Sequence, residues 1–541
     1  MDEKNYEDIL KRRQERWKDE KKRRRKKVLL IYGLILIVVA GAGIAGAGLW
    51  RRHSMSNSET SGKEKQESSS EQDPQKEESA KTPGKILAWI GNLLAPEEKG
   101  ILEGPLAFFE SQQDEEADSK KGESAEDAGE KEPEEGETGP DLSTEEGRLE
   151  DLLTRAENLA AGYDYEGAIS LLQENEEFSE NPEVVSAAES YESTMEGLVE
   201  QDVTQITHVF FHSLIIDPEK AFDGDSDSKG YNQVMTTKDE FLKILNEMYR
   251  KGYVLVRLHD LAHEETGEDG VTRMVKGKIM LPEGKKAFVM SQDDLCYYPY
   301  MDGDGFARRI IIGKNGKPTC EMVMDDGTVA TGDYDLVPIL ERFIEEHPDF
   351  SYKGARAVLA FTGYEGILGY RTASSYQDSP TYEEDCRQAA QVAQCLRDNG
   401  WELASHSWGH RYLGQLDIES FKTDTDKWEA EVESLIGPTD IILYPFGDDI
   451  SDWHNYTEDN EKYEYLREKG FRYFCTVDSS PYWVQIGDDY LRQGRRNLDG
   501  YRMWQDIAAA QEGGSGVRRL DDLFRAEDVF DPARPTPVVW N

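Results

Sequence analysis

The sequence predicts an α/β protein whose C-terminal part, residues 201–541, is a distorted (β/α) barrel of seven or eight strand–helix units. Short apolar runs alternate there with segments of helical periodicity, which is the pattern of parallel strands that are covered on both faces. Gly252, Gly400 and Gly470 each follow a predicted helix and lead directly into an apolar run, as glycines that cap helices do. Seven such runs, with Tyr490–Asn497 as an eighth, favour a closed or nearly closed barrel.

The chain begins with a basic segment that is followed by an apolar one. Residues 1–27 contain 13 Lys and Arg against 7 Asp and Glu, and residues 28–50 contain no charge. A stretch of this length crosses a hydrocarbon core of about 30 Å as a helix. The basic flank predicts a cytoplasmic tail at 1–27, a single transmembrane helix at 28–50 and an extracytoplasmic remainder. A cleaved signal peptide is the alternative, because small residues end the apolar stretch.

The next segment, residues 51–145, has the composition of a disordered acidic linker. It is rich in Ser, Glu, Lys, Gln, Pro and Gly, and such a chain buries too little apolar surface to offset its ordering entropy. One apolar stretch at 85–110 interrupts it. That stretch is either an amphipathic or partner-binding segment or an apolar part of the linker, and the sequence does not choose.

Residues 146–200 predict a small helical module. Apolar residues recur there at spacings of three and four, first from Leu149 to Ala160 and again from Ala168 to Leu172, which indicates two helices joined near Gly162. The pair resembles one tetratricopeptide-type hairpin, and a further helix follows. Such repeats normally need about three copies to bury a core. The module is therefore either a contact site for a protein partner or a cap on the next domain.

Charge and cysteine content exclude two classes of protein. The chain has 63 Lys and Arg against 109 Asp and Glu, for a formal net charge of -46. Binding to duplex nucleic acid depends on cations that displace phosphate counterions, so no nucleic-acid partner is expected. Five cysteines without CxxC spacing indicate neither a disulfide scaffold nor a cysteine metal site.

Candidate functional residues follow three of the predicted strands. Asp293 and Asp294 follow the third, His406 and His410 follow the fifth, and residues 444–447 follow the sixth. The carboxyl ends of barrel strands lie at one face, where the chemistry of such folds is found. Two imidazoles four residues apart and one carboxylate make a three-ligand catalytic metal site. A second carboxylate beside them is placed to act as a general base on water bound there.

These motifs resemble the polysaccharide deacetylase family, also called the NodB-homology family, over about residues 205–510. The resemblance implies a barrel of the NodB type, Asp293 as the catalytic base, and Asp294, His406 and His410 as ligands of a divalent metal. Zinc is the expected ion and cobalt the alternative. Residues 444–447 correspond to the family's third motif. By the same resemblance, the backbone N–H of Phe446 contacts the oxyanion, and Tyr444, Pro445 and Gly447 bind the substrate.

The sequence also departs from the family pattern. The usual Thr-Phe-Asp-Asp-Gly is Ser-Gln-Asp-Asp-Leu at 291–295, and no histidine follows His454, so the late histidine that protonates the leaving amine is missing. His212, at the end of the first strand, is the candidate replacement, with a structural or substrate-contact role as the alternative. Arg496 is the candidate to orient Asp293, with Arg495 as the other choice.

Together these features predict an anchored enzyme of a bacterial cell membrane, with its catalytic domain outside the cytoplasm. It would remove N-acetyl groups from a GlcNAc-containing glycan of the cell envelope, either peptidoglycan or an exopolysaccharide, and release acetate. The alternative is a catalytically impaired member of the family that binds glycan or acts as a scaffold. The missing late histidine favours the alternative, whereas the complete ligand set of Asp294, His406 and His410 favours the enzyme.

Overall fold

The computed structural model describes residues 140–511 and 516–540. The tail, the transmembrane helix and nearly all of the linker that the sequence predicts lie outside these residues and stay predictions. Within the described ranges, no helix combines the length and the apolar character needed to cross a membrane.

Eight parallel strands form the central sheet, and each contains one of the apolar runs identified in the sequence. The first of them is buried at every residue, as expected for a strand that is covered on both faces. The strands are β1 (Thr207–Phe211), β2 (Tyr253–Leu255), β3 (Lys286–Gln292), β4 (Val358–Phe361), β5 (Glu402–Ser405), β6 (Ile441–Leu443), β7 (Tyr473–Val477) and β8 (Leu491–Asn497).

Seven of these strands close into a barrel, in the order β4-β5-β6-β7-β8-β1-β3 and back to β4. The closing contact is short, because β3 pairs with β4 only at Ser291 and Gln292. The first half of β3, from Lys286 to Phe288, pairs instead with β2. The strand outside the ring of seven, β2, thus lies beside the first half of β3, and β4 pairs only with its end. This uneven pairing is the distortion of the barrel. The predicted barrel of seven or eight strands is confirmed.

Helices follow most strands and cover the barrel. The helix after β1 begins with a capping box, in which Thr237 and Glu240 accept hydrogen bonds from each other's backbone N–H, an arrangement that fixes a helix start. The glycines Gly252, Gly400 and Gly470 all have positive φ, as predicted. Counted from the N-terminal module, the long helices are α1 (Glu145–Ala161), α2 (Tyr165–Gln173), α3 (Pro182–Met195), α4 (Lys238–Arg250), α5 (Leu336–Glu346), α6 (Tyr382–Asp398), α7 (Ile418–Trp428), α8 (Glu461–Glu468) and α9 (Gly500–Gln511).

The helical module formed by α1, α2 and α3 has its own small core of leucine, alanine, phenylalanine and valine side chains, and the helices that the sequence predicts there are present. It packs on the segment that precedes β4. Tyr163 donates from Oη to the carbonyl of Asp349 at 2.8 Å, and the backbone N–H of Lys353 donates to the carbonyl of Gly162 at 2.7 Å. The module therefore lies at the amino ends of the strands.

An antiparallel sheet of three strands, Arg309–Ile312, Pro318–Val323 and Val329–Gly332, is inserted after β3. Asn315-Gly316 between two strand-like runs predicts a β-hairpin with a type I′ turn. The hairpin is present between the first two of these strands, but the predicted turn type is wrong. Gly316 has a φ of +78° but Asn315 is not left-handed, and the N–H of Gly313 bonds the carbonyl of Lys317. The loop therefore has three residues, with Gly316 in the left-handed position that such loops require.

The remaining elements are short. Small strands pair as Val199–Glu200 with Met280–Leu281, Ala262–Thr266 with Thr272–Lys276, and Val484–Ile486 with β8. Short α-helices lie at Pro218–Ala221, Ser228–Val234, Ser434–Ile436 and Ala526–Val529.

Candidate metal centre

The carboxyl ends of β3 and β5 bring three potential metal ligands together. One ligand atom from each of Asp294, His406 and His410 lies within 4.8 Å of the other two. His410 Nε2 is 3.6 Å from Asp294 Oδ2, and the two imidazole centroids are 5.1 Å apart. The nitrogens and the carboxylate oxygen thus converge on one point without bonding tightly to one another.

The orientation of His406 is set by its backbone surroundings. Its Nδ1 lies 2.7 Å from the carbonyl oxygen of Leu443 at the end of β6, and its own N–H donates to the carbonyl of Phe361 at the end of β4. Because a carbonyl only accepts hydrogen bonds, Nδ1 carries the proton and Nε2 carries the lone pair. A second hydrogen bond of this kind is typical of histidines that bind metals.

Backbone conformations that side chains rarely adopt are concentrated at this site. Nine non-glycine residues of the described chain have positive φ, and four of them are Asp294, Ser407, His410 and Phe446. Such conformations persist only where the surroundings hold them. Asp424 on α7 provides one restraint, since its carboxylate accepts from the backbone N–H groups of residues 408 and 409 at 2.8 and 2.9 Å. No sequence motif pointed to Asp424.

Asp293 lies beside the ligands and is 3% exposed. Its Oδ1 accepts from Arg495 Nη1 at 2.6 Å, and its Oδ2 is 3.8 Å from His406 Nε2. Burial opposes ionisation of this carboxyl, but the charge of Arg495 and its hydrogen bond outweigh burial and hold the pKa of Asp293 well below its ordinary value. Asp293 is therefore a buried carboxylate with one oxygen bound by a guanidinium and the other turned towards the histidines.

The structure corrects the choice of arginine. Successive side chains of a strand point to opposite faces, and in β8 it is Arg495 that points into the barrel. Arg496 points outward, where both of its terminal nitrogens bond the carboxylate of Asp522 at 2.8 Å. The prediction that Arg496 orients Asp293 is therefore wrong, and Arg495 occupies that position.

His212 follows β1 and lies near the same centre. Its Nδ1 is 3.0 Å from the carbonyl oxygen of Val234, so this nitrogen donates and Nε2 is left for other chemistry. The ring is close enough to interact electrostatically with Asp293, Asp294 and His410. His212 therefore lies at the same end of the barrel as the three ligands, and its role as proton donor stays a prediction.

The third motif forms a tight turn after β6. Proline fixes φ near -65°, Phe446 has φ +59° and ψ 4°, and the N–H of Gly447 bonds the carbonyl of Tyr444 at 3.0 Å; together these define a type II turn. The ring of Phe446 is 39% exposed. It stacks on Tyr412 at 4.1 Å and meets the edge of His410 at 4.5 Å.

Two of the predicted substrate contacts are wrong. Tyr444 is fully buried and Pro445 is buried as well, so neither side chain can touch a substrate. The hydroxyl of Tyr444 instead bonds that of Tyr456 at 2.8 Å. The sequence motif could not reveal this, because the turn exposes only its third residue, Phe446. The role of Gly447 stays a prediction.

The sequence did not single out Tyr298, which bonds Asp294, or Thr362, which bonds Tyr298. Tyr298 donates from Oη to Asp294 Oδ1 at 2.9 Å, and the same hydroxyl lies 2.9 Å from Thr362 Oγ1.

Burial opposes ionisation of Asp294, but the neighbouring histidines, chiefly His410, outweigh it and lower the pKa of the carboxyl. Burial and then the proximity of His406 and His212 lower the pKa of His410 to about 4, although Asp294 acts in the other direction.

A second group of carboxylates, Asp225, Asp227 and Asp304, is also close enough to hold a cation. Asp225 Oδ1 already accepts from the backbone N–H groups of Asp227 and Ser228 at 2.8 and 2.9 Å. This loop also lacks the glycine and the glutamate of a calcium-binding loop. We assign these side chains to the structure of the loop.

Comparison with known proteins finds only remote likenesses. No family model matches the chain, and no curated protein matches it. A deacetylase of Streptococcus pyogenes, PplD, solved in complex with acetate, is 12% identical, with 56% of this chain and 94% of that chain covered at a TM-score of 0.30. A de-N-acetylase from Aggregatibacter actinomycetemcomitans is 15% identical, with 55% and 95% covered at a TM-score of 0.30. Matches at this distance do not assign an activity to the chain.

Proposed function

We propose that the protein is a metal-dependent deacetylase that removes N-acetyl groups from a GlcNAc-containing polysaccharide of the cell envelope. One observation supports this most strongly. A buried, ionised Asp293, bound by Arg495, lies directly beside the convergent set of Asp294, His406 and His410. A base next to a three-ligand metal site is the arrangement that hydrolysis of an amide by activated water needs.

The side chains fit a divalent metal. His406 presents Nε2 because Nδ1 is bonded to the carbonyl of Leu443, and His410 Nε2 and Asp294 Oδ2 lie beside it. Two imidazoles and one carboxylate are the protein ligands of several catalytic zinc sites, in which a further position stays open. Zinc is thus the expected ion, with cobalt as the alternative. A divalent cation held there would act as a Lewis acid on the acetamide carbonyl and make water more acidic.

Asp293 takes the proton from the attacking water. Because Oδ1 is held by Arg495, the base is Oδ2, which faces His406 at 3.8 Å. The water oxygen forms the new bond to the carbonyl carbon. The backbone N–H of Phe446 donates to the carbonyl oxygen as it gains negative charge, the role of an oxyanion-hole donor.

The carbon–nitrogen bond then breaks, and the nitrogen needs a proton to leave as an amine. We propose that His212 delivers that proton, since it follows β1 at the same end of the barrel and interacts electrostatically with Asp293, Asp294 and His410. The products are acetate and a glucosamine amine. The rings of Phe446 and Tyr412, stacked at 4.1 Å, provide an apolar wall beside the centre that suits the face of a sugar ring.

The proposed location follows from the segments that precede residue 140. A basic tail at 1–27, an uncharged stretch at 28–50 and an acidic linker support a single-pass protein of the bacterial cell membrane with its barrel outside the cytoplasm. Such a protein faces the cell-envelope glycan, either peptidoglycan or an exopolysaccharide. The helical module, at the opposite end of the barrel from the centre, is available for a protein partner.

Acetate release from GlcNAc oligomers by the full-length chain, loaded with zinc or cobalt, tests the proposal. We expect release by the wild-type protein and a loss of about 10²- to 10⁴-fold in Asp293→Asn, the range typical of a missing general base. Asp239→Asn, an exposed position in the first turn of α4, is the matched control and should be fully active.

The same assay addresses the second candidate function, a catalytically impaired protein that binds glycan. The absence of any histidine after His454 is the observation that favours it. No acetate release from the metal-loaded wild type, together with glycan binding that is equal in wild type and Asp293→Asn, would establish this candidate and exclude the enzyme.

A further inference from the structure

Tyr298 lies directly behind the candidate metal ligand Asp294. Its hydroxyl donates to Asp294 Oδ1 at 2.9 Å, while the other carboxylate oxygen, Oδ2, faces His410 Nε2 at 3.6 Å. An ionised carboxylate can only accept, so the direction of the first hydrogen bond is fixed. The two oxygens of Asp294 are thereby made different: one is bonded to the protein and the other is turned towards the ligand histidines.

The hydroxyl of Tyr298 has a second fixed partner. Thr362 Oγ1 is 2.9 Å away, and because the tyrosine proton is used on Asp294, Thr362 is the donor in this contact. Thr362 is fully buried and immediately follows β4, whereas Asp294 follows β3 by two residues. The chain Thr362–Tyr298–Asp294 therefore ties together the ends of the two strands whose pairing closes the barrel.

The ring of Tyr298 is held in place by aromatic packing. It is 4% exposed and stacks on two other tyrosine rings, with centroid distances of 5.5 Å to Tyr300 and 5.4 Å to Tyr364 and interplanar angles of 8° and 22°. The backbone N–H of Tyr364 donates to the carbonyl of Trp408, within the loop that carries His406 and His410. The phenol is thus fixed relative to all three ligands.

We propose that Tyr298 is a positioning residue of the metal centre, whose hydroxyl holds Asp294 Oδ1 so that Oδ2 is the oxygen presented to the ion. This inference rests on the proposed function for the existence of the centre. Partners that hydrogen-bond a ligand from behind commonly change metal affinity by about 10- to 100-fold when they are removed. A tyrosine that served only to fill the core would change stability and leave affinity as it was.

The test measures binding of Co²⁺ and Zn²⁺ to the full-length protein, together with the visible absorption spectrum of the Co²⁺ form. In Tyr298→Phe, which keeps the ring and removes the hydroxyl, we expect a dissociation constant about 10- to 100-fold higher and a shifted Co²⁺ spectrum. Tyr300→Phe is the matched control, because it also removes a hydroxyl from the stack but not the one on Asp294, and it should bind as wild type does.

Thr362 provides an independent arm that does not depend on the stability of the tyrosine variant. Thr362→Val removes the donor to the tyrosine oxygen and should weaken binding by less than Tyr298→Phe does, whereas Thr362→Ser keeps the hydroxyl and should restore wild-type affinity. Equal affinity and an identical Co²⁺ spectrum in wild type, Tyr298→Phe and Thr362→Val would overturn the proposal.

The same measurements separate this inference from the proposed function. His406→Gln removes a ligand and should abolish the Co²⁺ spectrum. If His406→Gln binds Co²⁺ as the wild type does, the centre itself is contradicted. If His406→Gln loses binding while Tyr298→Phe keeps it unchanged, the centre stands and only the positioning role of Tyr298 fails.

Discussion

The barrel carries histidines beside carboxylates at both of its ends, and the two clusters differ in how closely the rings meet the acids. At the carboxyl ends of the strands, His406 and His410 lie 3.8 and 3.6 Å from their nearest carboxylate oxygens. At the amino ends of β5 and β6, His259 lies 2.5 Å from Glu402 and 3.0 Å from Asp440. The first distances leave room for an ion, and the second are hydrogen bonds.

The histidines of the two clusters also differ in protonation state. Burial and the proximity of His406 and His212 hold the pKa of His410 at about 4, so its imidazole is neutral and can offer a lone pair. Burial also disfavours a charged His259, but the hydrogen bonds to Asp440 and Glu402 outweigh it and raise the pKa of His259 to about 10. Both nitrogens of His259 then donate, and a ring in that state cannot bind a metal. Histidine next to carboxylate is therefore a candidate metal site at one end and an ion pair at the other.

The largest expected contrast is in metal binding. His406→Gln should raise the dissociation constant for Zn²⁺ by more than about 100-fold, because loss of a ligand exceeds the effect of losing an outer partner, and acetate release should fall with it. His259→Gln should leave both unchanged. Calorimetric titration of metal-free protein with Zn²⁺ checks the pair. Equal affinities in the two variants would remove the distinction between the clusters.

The next contrast concerns the two neighbouring arginines of β8. Arg495→Gln removes the cation that stabilises ionised Asp293, so the pKa of that carboxyl should rise and the acid limb of the pH–rate profile should move up by about 1 to 3 pH units. Arg496→Gln removes only the ion pair with Asp522 and should leave the acid limb where it is. A profile that shifts in Arg496→Gln but not in Arg495→Gln would contradict the assignment.

Stability should depend more on His259 than on His410, whereas metal binding and activity should depend on the histidines of the candidate metal centre. His259→Gln removes the cation between Glu402 and Asp440, and we expect a loss of about 1 kcal/mol in the free energy of unfolding, kept small because the ring is partly exposed and screened. His410→Gln should cost less than this in metal-free protein, since 3.6 Å separates His410 Nε2 from Asp294 Oδ2, against 2.5 and 3.0 Å between His259 and its two carboxylates. Urea unfolding of both variants without metal measures the difference, and a larger loss in His410→Gln would count against the comparison.

The smallest effect is a dependence of stability on pH. The folded pKa of His259, about 10, lies above its ordinary value of 6.5, so its contribution is complete below pH 6.5 and is lost as pH rises towards 10. The free energy of unfolding should therefore decline more steeply between these values in the wild type than in His259→Gln. Parallel curves would show that the ring is not charged in the folded protein.

The sequence was sufficient for the parts of the molecule that follow from local pattern. Apolar runs and helix-capping glycines predicted the barrel strands and their helices, and the positions of Asp294, His406 and His410 after strands predicted that they meet. The pairing of β3 with β2 along its first half and with β4 at its end was not predictable. An apolar run shows that a strand is buried, but it does not show which strand pairs with it or over which residues.

Other features of the site depend on tertiary contacts that a motif does not encode. The sequence offers both Arg496 and Arg495 as partners of Asp293 and does not select Arg495, because the inward face of β8 is set by its register with β1 and β7. Tyr444 was placed at the substrate although its ring packs inward, because the type II turn exposes only Phe446. The sequence does not identify Tyr298, because the backbone conformation that turns its hydroxyl onto Asp294, four residues earlier, is not a recognisable motif. It does not identify Thr362 either, because this residue meets Tyr298 only where β4 closes the barrel against β3.

The most direct test of the central claim is a crystal structure of the protein grown with zinc, with anomalous diffraction data collected on both sides of the zinc absorption edge. We expect an anomalous peak between Asp294 Oδ2, His406 Nε2 and His410 Nε2, and none beside His259. A peak at His259, or no peak among the three ligands in zinc-saturated crystals, would contradict it.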